Sequence, residues 1–281
     1  MISLNRRKRV GERRSFGAFV LAGIVAVVLY LAPIAYLLSV ALQSPAQFLN
    51  DPVSFPHPLM WSNFAAAWSQ ATMGTYFSNS VLYTFFSTVL SLLFAALLAF
   101  PVSRRYVRGS QVIYLLFLAG MFLPVGLIPL FIESRLLDLY NNRIGYIILH
   151  LQYGLTFGFF IFVGYFRTIP VELDESAAID GCGYFHYIWR ILIPLVKPVL
   201  ATVGIYVAIN VWNDLIGPVV FLASNQLFPL TRGLYTFYGS NQSDWTLLAA
   251  GVFIVAAPLI IAFALLQRYL VAGAVAGSLK S

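Results

Sequence analysis

Six uninterrupted apolar runs, each long enough to cross a lipid bilayer as a helix, constrain this chain more than any other feature. A spanning helix needs about 20 mostly apolar residues, because the hydrocarbon core is roughly 30 Å thick and each helical residue rises about 1.5 Å. The runs extend over Phe16 to Leu42, Tyr76 to Val102, Gln111 to Ile132, Ile144 to Phe166, Val199 to Ala223 and Leu247 to Val271. Continuous runs of this kind exclude a β-barrel, whose strands are about 10 residues of alternating polarity. Composition agrees. Of 281 residues, 60% are hydrophobic and 10% charged, with mean hydropathy +0.84. Water-soluble domains carry about a quarter charged residues. The expected fold class is all-α, a polytopic membrane protein with six transmembrane helices. It divides into a basic tail over 1–15, a membrane domain over 16–271 and a C-terminal tail over 272–281.

The formal net charge is +7. At this hydropathy the excess reads as a membrane-orientation signal rather than a nucleic-acid footprint, since positively charged segments resist translocation. Fourteen of the 17 Lys and Arg residues fall in the N-terminal tail, the second and fourth connections and the C-terminal end. Only Arg135, Arg143 and Arg232 fall in the first, third and fifth connections. That asymmetry predicts both termini in the cytoplasm, as an even number of spans requires. The first apolar run is about twice a signal peptide's 7 to 15 residue core, so it is expected to stay as a span. The single cysteine, Cys182, forms no intrachain disulfide, and His57, His150 and His186 show no metal-ligand spacing. No metal or cofactor is expected on this chain.

Two connections are more than turns. Gln43 to Thr75 contains Pro45, Pro52, Pro56, Pro58, Trp61 and Trp68, and reads as an outside loop with at most one short helix or as an interfacial aromatic belt. The fourth connection, residues 167–198, is too polar to be a seventh span. Pro170 suits a first helical position, and Glu172, Asp174 and Glu175 fall in the first turns, where the helix dipole favours carboxylates. Ser176, Ala177 and Ala178 leave a surface thin enough for another protein to approach. Gly181 is the natural stop. Phe185, Ile188, Trp189 and Leu192 then recur at helical spacing, predicting a second helix along the membrane face before Pro194 and Pro198. By pattern alone, an interfacial linker with no partner fits as well.

The run Glu175-Ser-Ala-Ala-Ile-Asp180-Gly181, followed by Pro194-Leu195 and Pro198, closely resembles the EAA loop of ABC-transporter inner-membrane permeases. Pro124, Pro129-Leu130-Phe131, Trp212-Asn213-Asp214 with Pro218, Asp244-Trp245, and Pro258 with Gln267-Arg268-Tyr269 are similar to the maltose-type carbohydrate-uptake branch, and within it to the smaller, six-span partner of a heterodimer. Ser176 and Cys182 stand where that family most often has alanine, and Leu279-Lys280-Ser281 replaces its usual valine-lysine-glycine ending. The resemblance implies that Glu172, Glu175, Ser176, Ala177, Ala178, Asp180 and Gly181 form a coupling helix docked on a separate ATPase. It also implies a place in a bacterial cytoplasmic (inner) membrane, with a second permease subunit, two ATPase subunits and an extracytoplasmic solute-binding protein as partners. Outer-loop residues Asn225, Gln226, Tyr235, Tyr238 and Asn241 resemble the loop that enters the binding protein's sugar cleft, although a plain surface loop fits them too. The tail with Lys280 and Ser281 resembles a segment inserted between the ATPase subunits, or is a frayed end.

The chain has no phosphate-cradling Gly-x-x-x-x-Gly-Lys-Ser/Thr loop, and the one Lys-Ser pair, Lys280-Ser281, follows Leu279. ATP and magnesium are therefore expected to be used by the partner. Glu172 and Glu175 are the expected ion-pairing residues toward it, while Asp180 serves either pairing or the turn itself. Asp214 is the carboxylate set well inside an apolar run, flanked by Asn210 and Asn213. A lipid-facing Asp at mid-membrane costs about 3 kcal/mol, so these three residues either line the pathway or lock the fifth span to its neighbours. The expected function is a permease subunit of an ATP-driven importer of sugars, with glycerol-phosphate-type solutes as the lesser cargo. A stand-alone ion-coupled transporter or channel is the alternative. A membrane enzyme is disfavoured, because no catalytic triad, di-acid or zinc motif falls in register with the spans.

Overall fold

The computed structural model describes residues 2–123, 126–239 and 243–278, the side chains of 2–18, 20, 21, 26 and 266–278 excepted. Among these residues there is no strand. The α-helices are α1 (Ile2–Ala41), α2 (Pro45–Asn50), α3 (Ser62–Gln70), α4 (Met73–Ser103), α5 (Ser110–Phe122), α6 (Leu127–Leu136), α7 (Arg143–Phe166), α8 (Glu172–Ile179), α9 (Tyr184–Tyr187), α10 (Ile193–Leu195), α11 (Lys197–Trp212), α12 (Gly217–Phe221), α13 (Leu230–Gly233) and α14 (Trp245–Ser278). The chain forms two compact units, one of residues 1–71 and 236–254, the other of residues 72–235 and 255–281.

In the first unit, the loop after α1 is tied by amide side chains rather than by a core. Gln43 is buried and donates to the Ser54 carbonyl at 2.6 Å, and Asn63 donates to the carbonyls of Ala41 and Gln43 at 2.8 and 2.9 Å. The loop holds two helices rather than the one expected at most. The first is α2, which starts because the Ser44 hydroxyl accepts from Gln47 N at 3.2 Å and Pro45 presets the first turn. The start of α14 is fixed in the same way, with Asp244 Oδ1 accepting from Leu247 N at 3.0 Å and from the Thr246 hydroxyl at 2.8 Å. The Asp244-Trp245 pair singled out in the sequence is thus a helix cap.

The second unit is built on α4, which packs along α7 and α11. Ser87, Ser91, Ala95 and Ala99 recur every four residues on the buried face of α4. Opposite them Gly154 and Gly158 bring α7 in so closely that a Cβ on Gly158 would lie 2.9 Å from Ala95 Cβ and 3.1 Å from Val203 Cγ1 of α11. Lipid tails are as apolar as leucine, so helices in a bilayer associate through such close packing.

Two crossings depart from the sequence expectation. The third is not one helix over Gln111 to Ile132: α5 and α6 meet at 115°. Leu123 precedes a proline in the sequence, which disfavours helical backbone, and it is extended (ψ 128°), as is Gly126 (ψ 102°). The fifth is not continuous over Val199 to Ala223. Helix α11 ends at Trp212, the chain breaks at 213–216, and α12 resumes at Gly217 with Pro218 in its first turn. Among the described residues four helices are long and apolar enough to cross alone. The number rises to as many as six when two bent pairs, α5 with α6 and Tyr184–Leu195 with α11, each count as one span. The basic residues expected to form a tail belong to α1.

Candidate functional site

The segment between the fourth and fifth crossings carries its acidic residues as the sequence predicts. Helix α8 begins at Glu172, two residues after Pro170, whose carbonyl accepts from Leu173 N at 3.4 Å. It ends in a closed backbone motif: Gly181 N donates to Ala178 O at 3.1 Å and Cys182 N to Ala177 O at 2.9 Å, with Gly181 left-handed (φ 71°). The turn is therefore made by the backbone, and the Asp180 side chain is exposed. Glu172, Glu175, Ser176 and Ala178 are exposed with it, beside Ile179 at 86% exposure and the outward rings of Phe185 and Trp189. Ala177 differs from the expectation: it is turned inward and buried, so it seats α8 on its own chain. The second helix has two faces, Ile188 and Leu192 inward and Phe185 and Trp189 outward, and it bends 84° into α11.

A Cβ on Gly181 would meet nothing within 4 Å, so substitution there tests backbone strain alone. Gly181→Ala should destabilise the detergent-solubilised protein by about 1–2 kcal/mol, the cost of a left-handed non-glycine residue. Gly183→Ala, in open space at φ −67° and at the N-cap of α9, escapes that strain and should cost only the smaller preference of a cap for glycine over alanine. Equal thermal midpoints for the two variants would contradict the assignment of the turn.

Asp174 lies on the opposite face of α8, where sequence alone gave it no role beyond the helix dipole. Arg104, the residue that ends α4, sets its Nε 2.6 Å from Asp174 Oδ2, off the hydrogen-bond axis, while its Nη2 donates to Asp174 Oδ1 at 3.3 Å. Its Nη1 donates to the Ile169 carbonyl at 2.9 Å. The two side chains are 4% and 7% exposed. The Tyr106 hydroxyl donates to Asp174 Oδ2 at 3.1 Å, and the Tyr187 hydroxyl donates to Oδ1. Burial, and after it the Asp174 carboxylate, push the Tyr106 phenol above its ordinary range, which keeps it a donor. Phe100 and Phe166 close the cluster with rings 5.8 Å apart.

Within the second unit a cavity of about 860 Å³ opens among α5, α6, α7, α11 and α12. Its walls include Gln152, Tyr153, Thr156, Asn210, Asn213 and Asp214, so the structure brings the three predicted pathway residues to one surface. Asp214 is also the most tied of the three. Oδ1 accepts from Gly217 N at 2.9 Å and from Ile216 N at 3.2 Å, so it shapes the break after α11. Oδ2 accepts from the Tyr146 hydroxyl at 2.8 Å and stands 3.2 Å from His150 Nε2, both on α7. Its carbonyl accepts from Thr231 at 2.7 Å. Asn210 donates to the Tyr206 carbonyl of its own helix at 2.8 Å, whereas Asn213 is exposed to the cavity. The sequence gave no signal for Tyr146 or His150: both sit in an apolar run with a helical spacing indistinguishable from core.

Residues 225–233 are strapped to α4. Asn79 donates to the carbonyls of Gln226 and Phe228 at 2.8 and 3.0 Å, Tyr83 to that of Leu227 at 2.8 Å, and Leu230 N to Ser80 Oγ at 2.7 Å. Asn225 and Gln226 are exposed on this strap, as is Tyr235, whose ring lies 4.9 Å from the Arg232 guanidinium. Tyr238, in the first unit, packs edge-on against Trp245. Asn241, Lys280 and Ser281 lie outside the described residues, as does Pro124.

Apolar helices sufficient for up to six crossings, with two of the apolar runs broken beside the cavity of the second unit and a short acidic helix after α7, are the features of a polytopic permease. Residues 79–274 match the family described as the binding-protein-dependent transport system inner membrane component, and the chain belongs to that family. It is 36% identical over 260 residues to the probable ABC transporter permease protein YurM of Bacillus subtilis, covering 90% of this chain and 86% of that one. It is 28% identical over 275 residues to the melibiose/raffinose/stachyose import permease protein MelC of the same organism, covering 97% and 99%. Among solved structures it resembles a chain of a bacterial ABC transporter involved in the import of the acidic polysaccharide alginate. The TM-score is 0.80 and the identity 28%, over 92% of this chain and 97% of that one.

Proposed function

We propose that this chain is one of two permease subunits of an ATP-driven importer that moves a sugar or oligosaccharide delivered by a soluble binding protein outside the membrane. Two ATPase subunits, which use the ATP and magnesium, grip it through Glu172, Glu175 and the rest of the exposed face of α8. Both termini lie on the cytoplasmic side with α8, in keeping with the distribution of Lys and Arg. Asn225, Gln226, Tyr235, Tyr238 and Asn241 face the binding protein, and the tail with Lys280 and Ser281 reaches the ATPase pair.

The observation that carries this reading is α8 itself: an exposed acidic and apolar helix with a closed end, in a family of binding-protein-dependent permeases. An anionic face of this kind suits a basic rim on a motor protein. The cavity supports a sugar cargo through its amides and tyrosines, which offer hydrogen bonds and stacking faces in one wall. The names of MelC and of the alginate transporter place related chains in carbohydrate uptake.

The test is made on the assembled complex in vesicles. Glu175→Arg should leave the chain inserted and lower binding-protein-stimulated ATP hydrolysis by about tenfold or more, as reversal of an interface charge does. Unchanged stimulation would remove α8 from the ATPase interface. Transport by the lone chain without nucleotide would instead support a stand-alone transporter.

A further inference from the structure

The attachment of α8 to the rest of the chain is thin. Ala177 is its one buried apolar side chain, and a single methyl group gives a helix little resistance to being pushed. The other ionisable chains with full charge between 167 and 198, namely Arg167, Glu172, Glu175, Asp180, Arg190 and Lys197, are exposed. Only Asp174 is drawn in, onto Arg104 at the end of α4, with the Tyr106 and Tyr187 hydroxyls completing its acceptor positions. A buried ion pair adds little net stability, because desolvation offsets the Coulomb gain, but it tolerates little change of geometry once its partners are in place. Arg104 also holds the Ile169 carbonyl at 2.9 Å, just beyond α7. One guanidinium therefore joins the ends of α4 and α7 to α8, and Asp174 joins α8 to α9.

Resting on the coupling role proposed above, we infer that Asp174 is a positioning residue that, through Arg104, makes α8 rigid with the membrane helices. A push on the Glu175 face then moves the α4–α7 pair as a body. Without the clamp the same push bends the segment at Gly181 and Gly183 and is dissipated. The tightly wedged contact of α7 between α4 and α11 carries the displacement toward the cavity.

The experiment compares transport per ATP hydrolysed in the reconstituted complex, using radiolabelled maltodextrin, raffinose and stachyose with the cognate binding protein. Asp174→Asn keeps the shape and the hydroxyl acceptor at Oδ1 but removes the charge. It should still purify with the ATPase and hydrolyse ATP, while transport per ATP falls about tenfold, the size of a typical coupling between sites. The exchange Arg104→Asp with Asp174→Arg restores the opposite charges but not the donor to the Ile169 carbonyl, so it should recover only part of that ratio. The thermal midpoint of Asp174→Asn, which a merely structural role would lower, should stay near that of the parent. An unchanged ratio for Asp174→Asn overturns the clamp. Should Asp174→Asn fail to assemble, Arg104→Lys is read in its place, since it keeps the positive charge and removes the guanidinium fork that joins Asp174 to the Ile169 carbonyl. A lowered ratio supports the clamp, and an unchanged one overturns it. The unaltered complex is the control on the underlying reading: if it holds no ATPase, the coupling role fails first, whereas a coupled parent with an equally coupled Asp174→Asn variant defeats the clamp alone.

Discussion

Gly158→Leu should leave no recoverable complex. On α7 this glycine faces Ala95 of α4 and Val203 of α11, and even a methyl group there would stand 2.9 Å from Ala95 Cβ and 3.1 Å from Val203 Cγ1. Gly154, one turn earlier, is as crowded, with a Cβ 2.7 Å from Ser91 Cβ and 3.0 Å from Val207 Cγ1. A leucine cannot be accommodated by rotamer changes in neighbours this small, so α7 must move away from α4 and α11 together. In lipid there is no hydrophobic penalty to resist that separation, because the lost contact is close packing and the replacement is acyl chain. Gly158→Ala is the graded version. Overpacking by one methyl should cost about 1–3 kcal/mol, and Ala95→Gly in the same chain should restore most of it. Fluorescence-detected size exclusion of the solubilised protein, with a thermal midpoint, reads all three variants. A Gly158→Leu protein with the parent midpoint would mean that α7 is not wedged at this position.

The crossings were legible in the sequence because hydropathy over about 20 residues depends on nothing beyond the segment itself. The same averaging hid the breaks. Pro124, Gly126 and Pro129 are in plain view within the third run, yet the apolar residues around them kept it reading as one span, where the chain bends by 115°. Helix α8 was legible for a local reason, since Glu172, Asp174 and Glu175 start it and Gly181 stops it within a few residues. Which of those acids faces outward was not, because that depends on Arg104, seventy positions away in the chain. Asp214 shows the same division. Its presence in an apolar run marked it as requiring a polar partner, but the partners, Tyr146 and His150, come from another helix and have no motif of their own. Residue type thus announced that a polar contact must exist, and only packing decided with whom.

The second large effect is expected at Asp214, where two substitutions separate packing from passage. Asp214→Leu removes the acceptor of Gly217 N, Ile216 N and the Tyr146 hydroxyl together, and leaves His150 facing an apolar chain. Each buried donor left without a partner costs about 1–3 kcal/mol, so the loss should exceed what the bundle tolerates and the protein should not assemble. The side chain of Asp214 is 18% exposed, so part of this cost is relieved by water in the cavity, and the lower end of that range is the relevant one. Asp214→Asn keeps an oxygen for the two backbone donors and a group that can meet Tyr146, so the break between α11 and α12 should survive and the complex should purify. What it removes is the negative charge on the wall of the cavity beside Asn210 and Asn213. If that charge serves the passage of cargo, transport should fall about tenfold while assembly and basal ATP hydrolysis hold, a loss of about 1.4 kcal/mol from the transported state. Uptake at the parent rate would instead confine Asp214 to fastening α11 against α7, and the pathway would then have to be sought along Gln152, Tyr153 and Asn213 alone.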